Sequence, residues 1–358
     1  MESRSTSRTL ASPLICASLL SLLMMPVRVG AQTSPVATPP YKVGVFATSP
    51  AGASQPDSIV LWNDSVIVGF QNHVAKDGTD GKFSTIVEFS LAGKAKRSFQ
   101  VQGHNDGLSI IGSDELWALQ NEDANPNLVV INLRTGHAKK YKFAPTLHGG
   151  GYDDMVVKND KVYITASNPN LDSMGNNVFP ALVRASLSGD DVVLEPVLNG
   201  DGSAVDIPTG TTVKLNLTDP DSLTIDPRGN IVLDSQADSV LVFIRNPFTD
   251  EQKVGRLNIT SSVTGPGGAT ITLDDTAFAP SPKAFLLVTD VDAGVIYRID
   301  GGTFGFEPGA AYSTSDTLGL VGTLNLDNGV VTPVVTGFGS ARGLLFVAPD
   351  GDKDADDR

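Results

Sequence analysis

The sequence predicts an all-β protein: a six-bladed β-propeller of four-stranded blades, preceded by a cleaved signal peptide. Three observations carry this. From Tyr41 onward helical periodicity is almost absent, and short runs rich in Val, Ile, Leu, Phe and Thr alternate with Gly, Asn, Asp and Pro clusters. A unit made of a polar residue, a short apolar strand, a turn and a second apolar strand occurs five times and begins a sixth. Hydrophobic residues make up 41% of the 358 positions, enough for a large core.

The first thirty residues read as an address. Arg4 and Arg8 precede an apolar run over 10–25, Pro26 ends it, and Val29-Gly30-Ala31 has the small-x-small form of a signal-peptidase site. Cleavage after residue 31 predicts a secreted or periplasmic protein. It also removes Cys16, the only cysteine, so the mature chain is expected to hold no disulfide, thiolate nucleophile or Cys-ligated metal. Residues 32–40, rich in Ser, Thr and Pro, read as a linker; 41–349 is the propeller. No later apolar run is long enough to span a bilayer. Residues 350–358 form an acidic tail that starts like a calcium loop at Asp350, Asp352 and Asp354 but lacks the closing Glu.

The repeat starts are Asp57-Ser58-Ile59, Asp106-Gly107-Leu108, Asp154-Met155-Val156, Asp221-Ser222-Leu223, Asp275-Thr276-Ala277 and Arg342-Gly343-Leu344, at spacings of 49, 48, 67, 54 and 67 residues. Two further strand-like runs follow most units, and four strands in about fifty residues is the size of a propeller blade. The last start has no second strand after it. It is expected to complete a blade with 310–315, 321–326 and 330–336, with 42–48 pairing at the same seam.

A formal net charge of −14 disfavours nucleic acid as a partner, because phosphate binding needs Lys and Arg. In a propeller the first strand of each blade lines the channel, so the residue before it lies at the mouth. Five starts place Asp there: Asp57, Asp106, Asp154, Asp221 and Asp275; the sixth places Arg342. Two readings stay open. The carboxylates converge on a hard cation, Ca²⁺ before others, or each Asp caps its own turn. His104, Asn105 and Tyr152 lie beside the starts and are expected to face substrate together with Arg342, while Asp106 and Asp221 are the expected proton-transfer residues.

Asn105-Asp106-Gly107 and the run from Pro220-Asp221-Ser222 through Gly229-Asn230 resemble phases of the SMP-30/gluconolactonase-like six-bladed propellers. The resemblance covers roughly residues 57–347. It implies a divalent cation held by Asp57, Asp154 and Asp221, with Asn105 and Asp106 toward substrate. Asp57 stands where the family has Glu, and Asp154 where it has Asn. The activity it implies is metal-assisted hydrolysis of a lactone or related ester; separately, the chain is expected to be a monomer. The other function class is a non-catalytic exported propeller that binds a protein, a glycan or a small ligand through its loops. No Gly-x-Ser-x-Gly elbow, phosphate loop or His-x-x-x-His pair points elsewhere.

Overall fold

The computed structural model describes residues 34–349; the expected signal peptide, Cys16 and the acidic tail lie outside the described residues. Those residues form an all-β propeller whose only helical elements are two 3₁₀ turns, Pro266–Gly268 and Gly302–Phe304. The strands fall into four-stranded antiparallel arrays, ordered from the channel outward. Array one is Pro56–Trp62, Ser65–Phe70, Phe83–Ser90 and Ala95–Gln102. Array two is Asn105–Ile111, Glu115–Gln120, Asn127–Asn132 and Ala138–Phe143. Array three is Met155–Lys158, Lys161–Thr165, Pro180–Ser188 and Asp191–Asn199, joined to array two by parallel pairing of their outer strands. Array four is Pro220–Ile225, Ile231–Ser235, Val240–Arg245 and Lys253–Asn258.

Arrays five and six differ from the expected pairing. The start at Thr276–Phe278 pairs with Ala311–Ser315, followed outward by Leu320–Leu324 and Val330–Thr336. The strand next in sequence, Phe285–Asp290, pairs instead with Ala341–Val347, and array six continues with Val295–Asp300 and Lys42–Thr48. The two arrays therefore exchange a hairpin. The inner strand of array five is only three residues long, and Pro280 and Pro282 follow it, where neither ring nitrogen can donate to a ladder; the chain crosses to the neighbouring array there. The stretch expected to be a linker is partly built in. Val36–Ala37 pairs with the outer strand of array five, and the Thr38 N–H donates to the Val334 carbonyl at 2.8 Å, which covers an otherwise open edge.

Period-two alternation explains why the second strands are buried on both faces. Val66, Val68 and Phe70 pack toward array six, with Leu287, Ile296 and Val347, while Ile67 packs toward array two, with Leu108, Leu116 and Ile131. Each seam between neighbouring arrays holds one such apolar cluster. The inner strands touch one another in a closed ring, from Pro56–Trp62 round to Ala341–Val347 and back.

At the closing seam a Cβ on Gly343 would run into the Asp57 carbonyl and press on Ile59 and Thr289, each 3.1 Å away. Gly343→Ala should destabilise the protein by about 1–3 kcal/mol in urea unfolding. Gly44→Ala, on the exposed outer strand with nothing near its Cβ position, should leave the midpoint unchanged or slightly raised. Equal effects at the two sites would mean that the ring is not tightly closed there.

Candidate functional site

The inner strands enclose a central cavity of about 390 Å³. Ladder register fixes what faces it. Ile59, Leu108, Leu223 and Leu344 hold equivalent places opposite Val68, Ala118, Leu233 and Val288; Met155 opposite Ile164 and Thr276 opposite Ser313 occupy the same place in arrays three and five. Two residues earlier come Asp57, Asp106, Asp153, Asp221, Asp274 and Arg342. The phase expected from the sequence is thus off by one in arrays three and five. Asp154 and Asp275 fall in register with Ser58, and all three do the same work. The N–H groups of Leu108, Leu223 and Leu344, each in the next array, donate to Ser58 Oγ at 3.0 Å, Asp154 Oδ2 at 2.8 Å and Asp275 Oδ2 at 2.8 Å.

Eight carboxylates line the cavity, Glu122 among them, against one arginine, and burial raises the pKa of most of them. The chain meets this crowding in four ways. Backbone N–H groups hold Asp154 and Asp275. Arg342 lies 3.6 Å from Asp57 and 3.8 Å from Asp274, and these carboxylates raise its pKa further. Asp153 and Asp221 share a side-chain hydrogen bond, and burial first, then a neighbouring carboxylate, Asp221 for Asp153 and Asp274 for Asp221, pushes both well above the ordinary range. Gln71 donates to Asp57 and, at 2.9 Å, to Asp106, while His104 and Lys76 answer Asp106 and Glu122.

This last cluster is the tightest. His104 Nδ1 lies 2.7 Å from the Val74 carbonyl, which can only accept, so Nδ1 carries a proton and Nε2 turns to Asp106 Oδ1 at 3.1 Å. Burial lowers the His104 pKa, but Asp106 and Glu122 outweigh it and bring it to about 9. Burial, then Glu122, lifts Asp106 to about 7. Burial also acts to raise Glu122, but Lys76 pulls it below its usual value. His104, Asp106 and Glu122 each offer a ligand atom within 4.8 Å of the others, the one such group among the described residues, and can hold a metal ion. Asp106 Oδ2 is buried with no hydrogen-bond partner, while His104 Nε2 faces Asp106 Oδ1 and Glu122 Oε1 faces the Lys76 ammonium. The chemistry of the set fits a divalent ion once His104 Nε2 gives up its proton and the Lys76 ammonium gives way from Glu122.

Asp57, Asp106, Asp154, Asp221 and Arg342 line the cavity, and the three residues that offer converging ligand atoms are His104, Asp106 and Glu122, not Asp57, Asp154 and Asp221. Asn105 and Tyr152, expected to face substrate, are not in the cavity wall. Asn105 is fully buried and donates to the Leu119 carbonyl at 2.9 Å. Tyr152 stacks on Phe143 at 4.5 Å inside an apolar cluster. His104 lies behind the wall and reaches it through Asp106. Sequence reasoning missed Gln71, Lys76 and Glu122. Gln71 and Glu122 follow the ends of second strands, which rise at the channel mouth, so polar residues at those turns were the available signal.

No family model matches the chain, and no curated protein does. Solved structures similar to it include virginiamycin B lyase from Staphylococcus aureus, at 12% identity, covering 80% of this chain and 86% of that one with a TM-score of 0.47. Another is the periplasmic gluconolactonase of Pseudomonas aeruginosa, at 12% identity over 86% of this chain and 99% of that one, TM-score 0.43. These are propeller folds, and the likeness goes no further.

The raised carboxylates fix the sign of the pH dependence. In the folded state Asp106 and Asp275 titrate at about 7, against 3.8 for the free group. The native protein therefore keeps protons that the unfolded chain has released. The resulting stability is present below about pH 4 and is lost as pH rises through about 7. In EDTA the melting temperature should fall by roughly 5 °C or more between pH 5 and pH 8, and a bound divalent cation should restore it at pH 8. A melting temperature that is level or rises over this range would show the carboxylates already ionised and compensated by the chain itself.

Proposed function

We propose that the chain is an exported, monomeric six-bladed propeller that hydrolyses a small lactone or related ester at the acidic mouth of its channel, with a divalent cation. The observation that carries this reading is the convergence of one ligand atom each from His104, Asp106 and Glu122 within 4.8 Å of one another, with Asp106 Oδ2 buried and unpartnered. The closed ring of six inner strands supports the blade count. An imidazole nitrogen with two carboxylates suits Zn²⁺ or Mn²⁺ better than the Ca²⁺ expected from an all-oxygen set. When bound, such an ion polarises a carbonyl and makes a coordinated water more acidic.

The chain's own groups supply the rest. Arg342, at 25% side-chain exposure and flanked by Asp57 and Asp274, presents a positive group to the acyl oxygen or to a carboxylate of the substrate. Asp221, on the same cavity and hydrogen-bonded to Asp153, accepts the proton of the attacking water, and Asp153 carries the proton the pair shares. Deeper in the channel, Leu108, Met155, Ile225, Phe278 and Phe346 give an apolar wall against which a ring can lie.

The test is ring opening of a lactone panel and ester hydrolysis, followed by proton release after EDTA treatment and re-addition of Zn²⁺, Mn²⁺, Mg²⁺ or Ca²⁺. Activity should return with one of these ions, and Glu122→Gln and Asp221→Asn should each lower kcat by about 10²-fold or more. Ligands that raise the melting temperature without turnover under any metal would replace the hydrolase with a binding propeller.

A further inference from the structure

One buried carboxylate is met in none of these four ways. Asp234, in the second strand of array four, is 1% exposed, and neither of its side-chain oxygens has a hydrogen-bond partner. Its place in the register lies between Leu233, opposite Leu223, and Ser235, opposite Pro220. The same place is Thr165 in array three, Thr314 in array five and Thr289 in array six; it is Gly69 in array one and Leu119 in array two. The threonines are fully buried and satisfied by backbone. Thr165 donates to the Asp221 carbonyl at 2.6 Å and Thr289 to the Asp57 carbonyl at 2.9 Å, each in the next array. The fold is thus built without a carboxylate at this place in five arrays, and an unpaired buried carboxylate is costly.

Alternation turns Asp234 away from Leu233, which packs toward array three, and toward array five on the same side as Val232. The start of array five lies against that face. Ser222, on the adjoining inner strand, donates to the Asp274 carbonyl, and Gln236, two residues on, donates to Asp274 Oδ1 at 3.0 Å. Asp274 is also the charge that acts on Asp234 most strongly, ahead of Asp275, Asp219 and Asp238, and no basic group is among its main influences. The three other acids in that set are already engaged: Asp275 accepts from the Leu344 N–H, Asp238 from Thr218 and Ser235, and Asp219 from the Ala237 N–H.

We propose that Asp234 and Asp274 hold a second cation, a hard ion of the Ca²⁺ class, at the seam between arrays four and five. The oxygens at this seam are the Asp234 and Asp274 carboxylates and, bonded to each other, the Ser222 hydroxyl and the Asp274 carbonyl. With no imidazole or thiol this is the ligand chemistry of Ca²⁺ and not of Zn²⁺. Arg342, 3.8 Å from Asp274, turns to its other partner Asp57 when the ion binds. The site is separate from the His104 cluster on arrays one and two and stands whether or not the hydrolase reading does. Its role is to tie array five, whose inner strand has only three residues, to its neighbour.

The experiment is calorimetric Ca²⁺ titration with melts in EDTA and in Ca²⁺, on the full mature chain and on Asp234→Asn, Asp234→Thr and Glu122→Gln. Asp234→Thr copies the residue the fold uses in three other arrays and keeps the test alive if Asp234→Asn does not fold. The expected result is a Ca²⁺-dependent rise in melting temperature in the natural protein and in Glu122→Gln. Both Asp234 variants should lose it, bind Ca²⁺ at least tenfold more weakly, and melt in EDTA no lower than the natural protein. The proposal falls if Ca²⁺ neither binds nor shifts the natural protein. It falls equally if the shift survives in the Asp234 variants, and loss of the shift in Glu122→Gln alone would place the ion in the other cluster.

Discussion

Neighbouring inner strands of this ring share no hydrogen-bonded ladder, yet they must touch all the way round. What joins them is a row of single contacts at the channel mouth. Ser58, Asp154 and Asp275 accept backbone N–H groups from the following array. At the alternate seams the approach is backbone to backbone or nearly so. Gly107 donates its N–H to the Asp153 carbonyl at 2.8 Å, Ser222 reaches the Asp274 carbonyl, and Gly343 sits against the Asp57 carbonyl. Small residues and acceptors therefore alternate around the ring. The same geometry sets the residue just before each contact, most often Asp, on the cavity. Ring closure brings these six positions together, and the five that are Asp crowd their charges at the centre.

That crowding gives the site its chemistry. The acids are buried one by one, so each must be matched locally, and the chain uses a different match at different points of the circle. Lys76 and His104 serve arrays one and two, Arg342 serves the closing seam, and a shared proton serves Asp153 and Asp221. A centre with several incomplete neutralisations takes up protons or cations readily, because either relieves repulsion that folding has already imposed.

The repeat and the strand periods made the fold readable from the sequence, since turn chemistry and period-two burial are local properties. Three things were not readable. Asp153-Asp154 and Asp274-Asp275 are doublets in which either residue fits the repeat, and only the ladder register, with its irregularity at the strand start, tells which one faces the channel. The hairpin exchange between arrays five and six depends on contacts between strands more than forty residues apart. Lys76 and Glu122 belong to turns outside the repeat, where a single sequence gives no reason to prefer one polar residue over another. Asn105 and Tyr152 were misplaced for a simpler reason: residues next to a channel-facing position can point back into the seam, as both do.

The exchanged hairpin has a consequence for how this molecule is made and cut. Lys42–Thr48 and Ala341–Val347 are the outer and inner strands of one array, and the strands between them in that array come from residues 285–300. After array four the units interleave: the strands of array five are split by residues 285–300, which belong to array six. Unlike a linear solenoid, in which a module can be deleted and its neighbours rejoined, this ring has an indivisible final third. Array six is complete only when both ends of the described chain are present, so a fragment without either end lacks one of its strands.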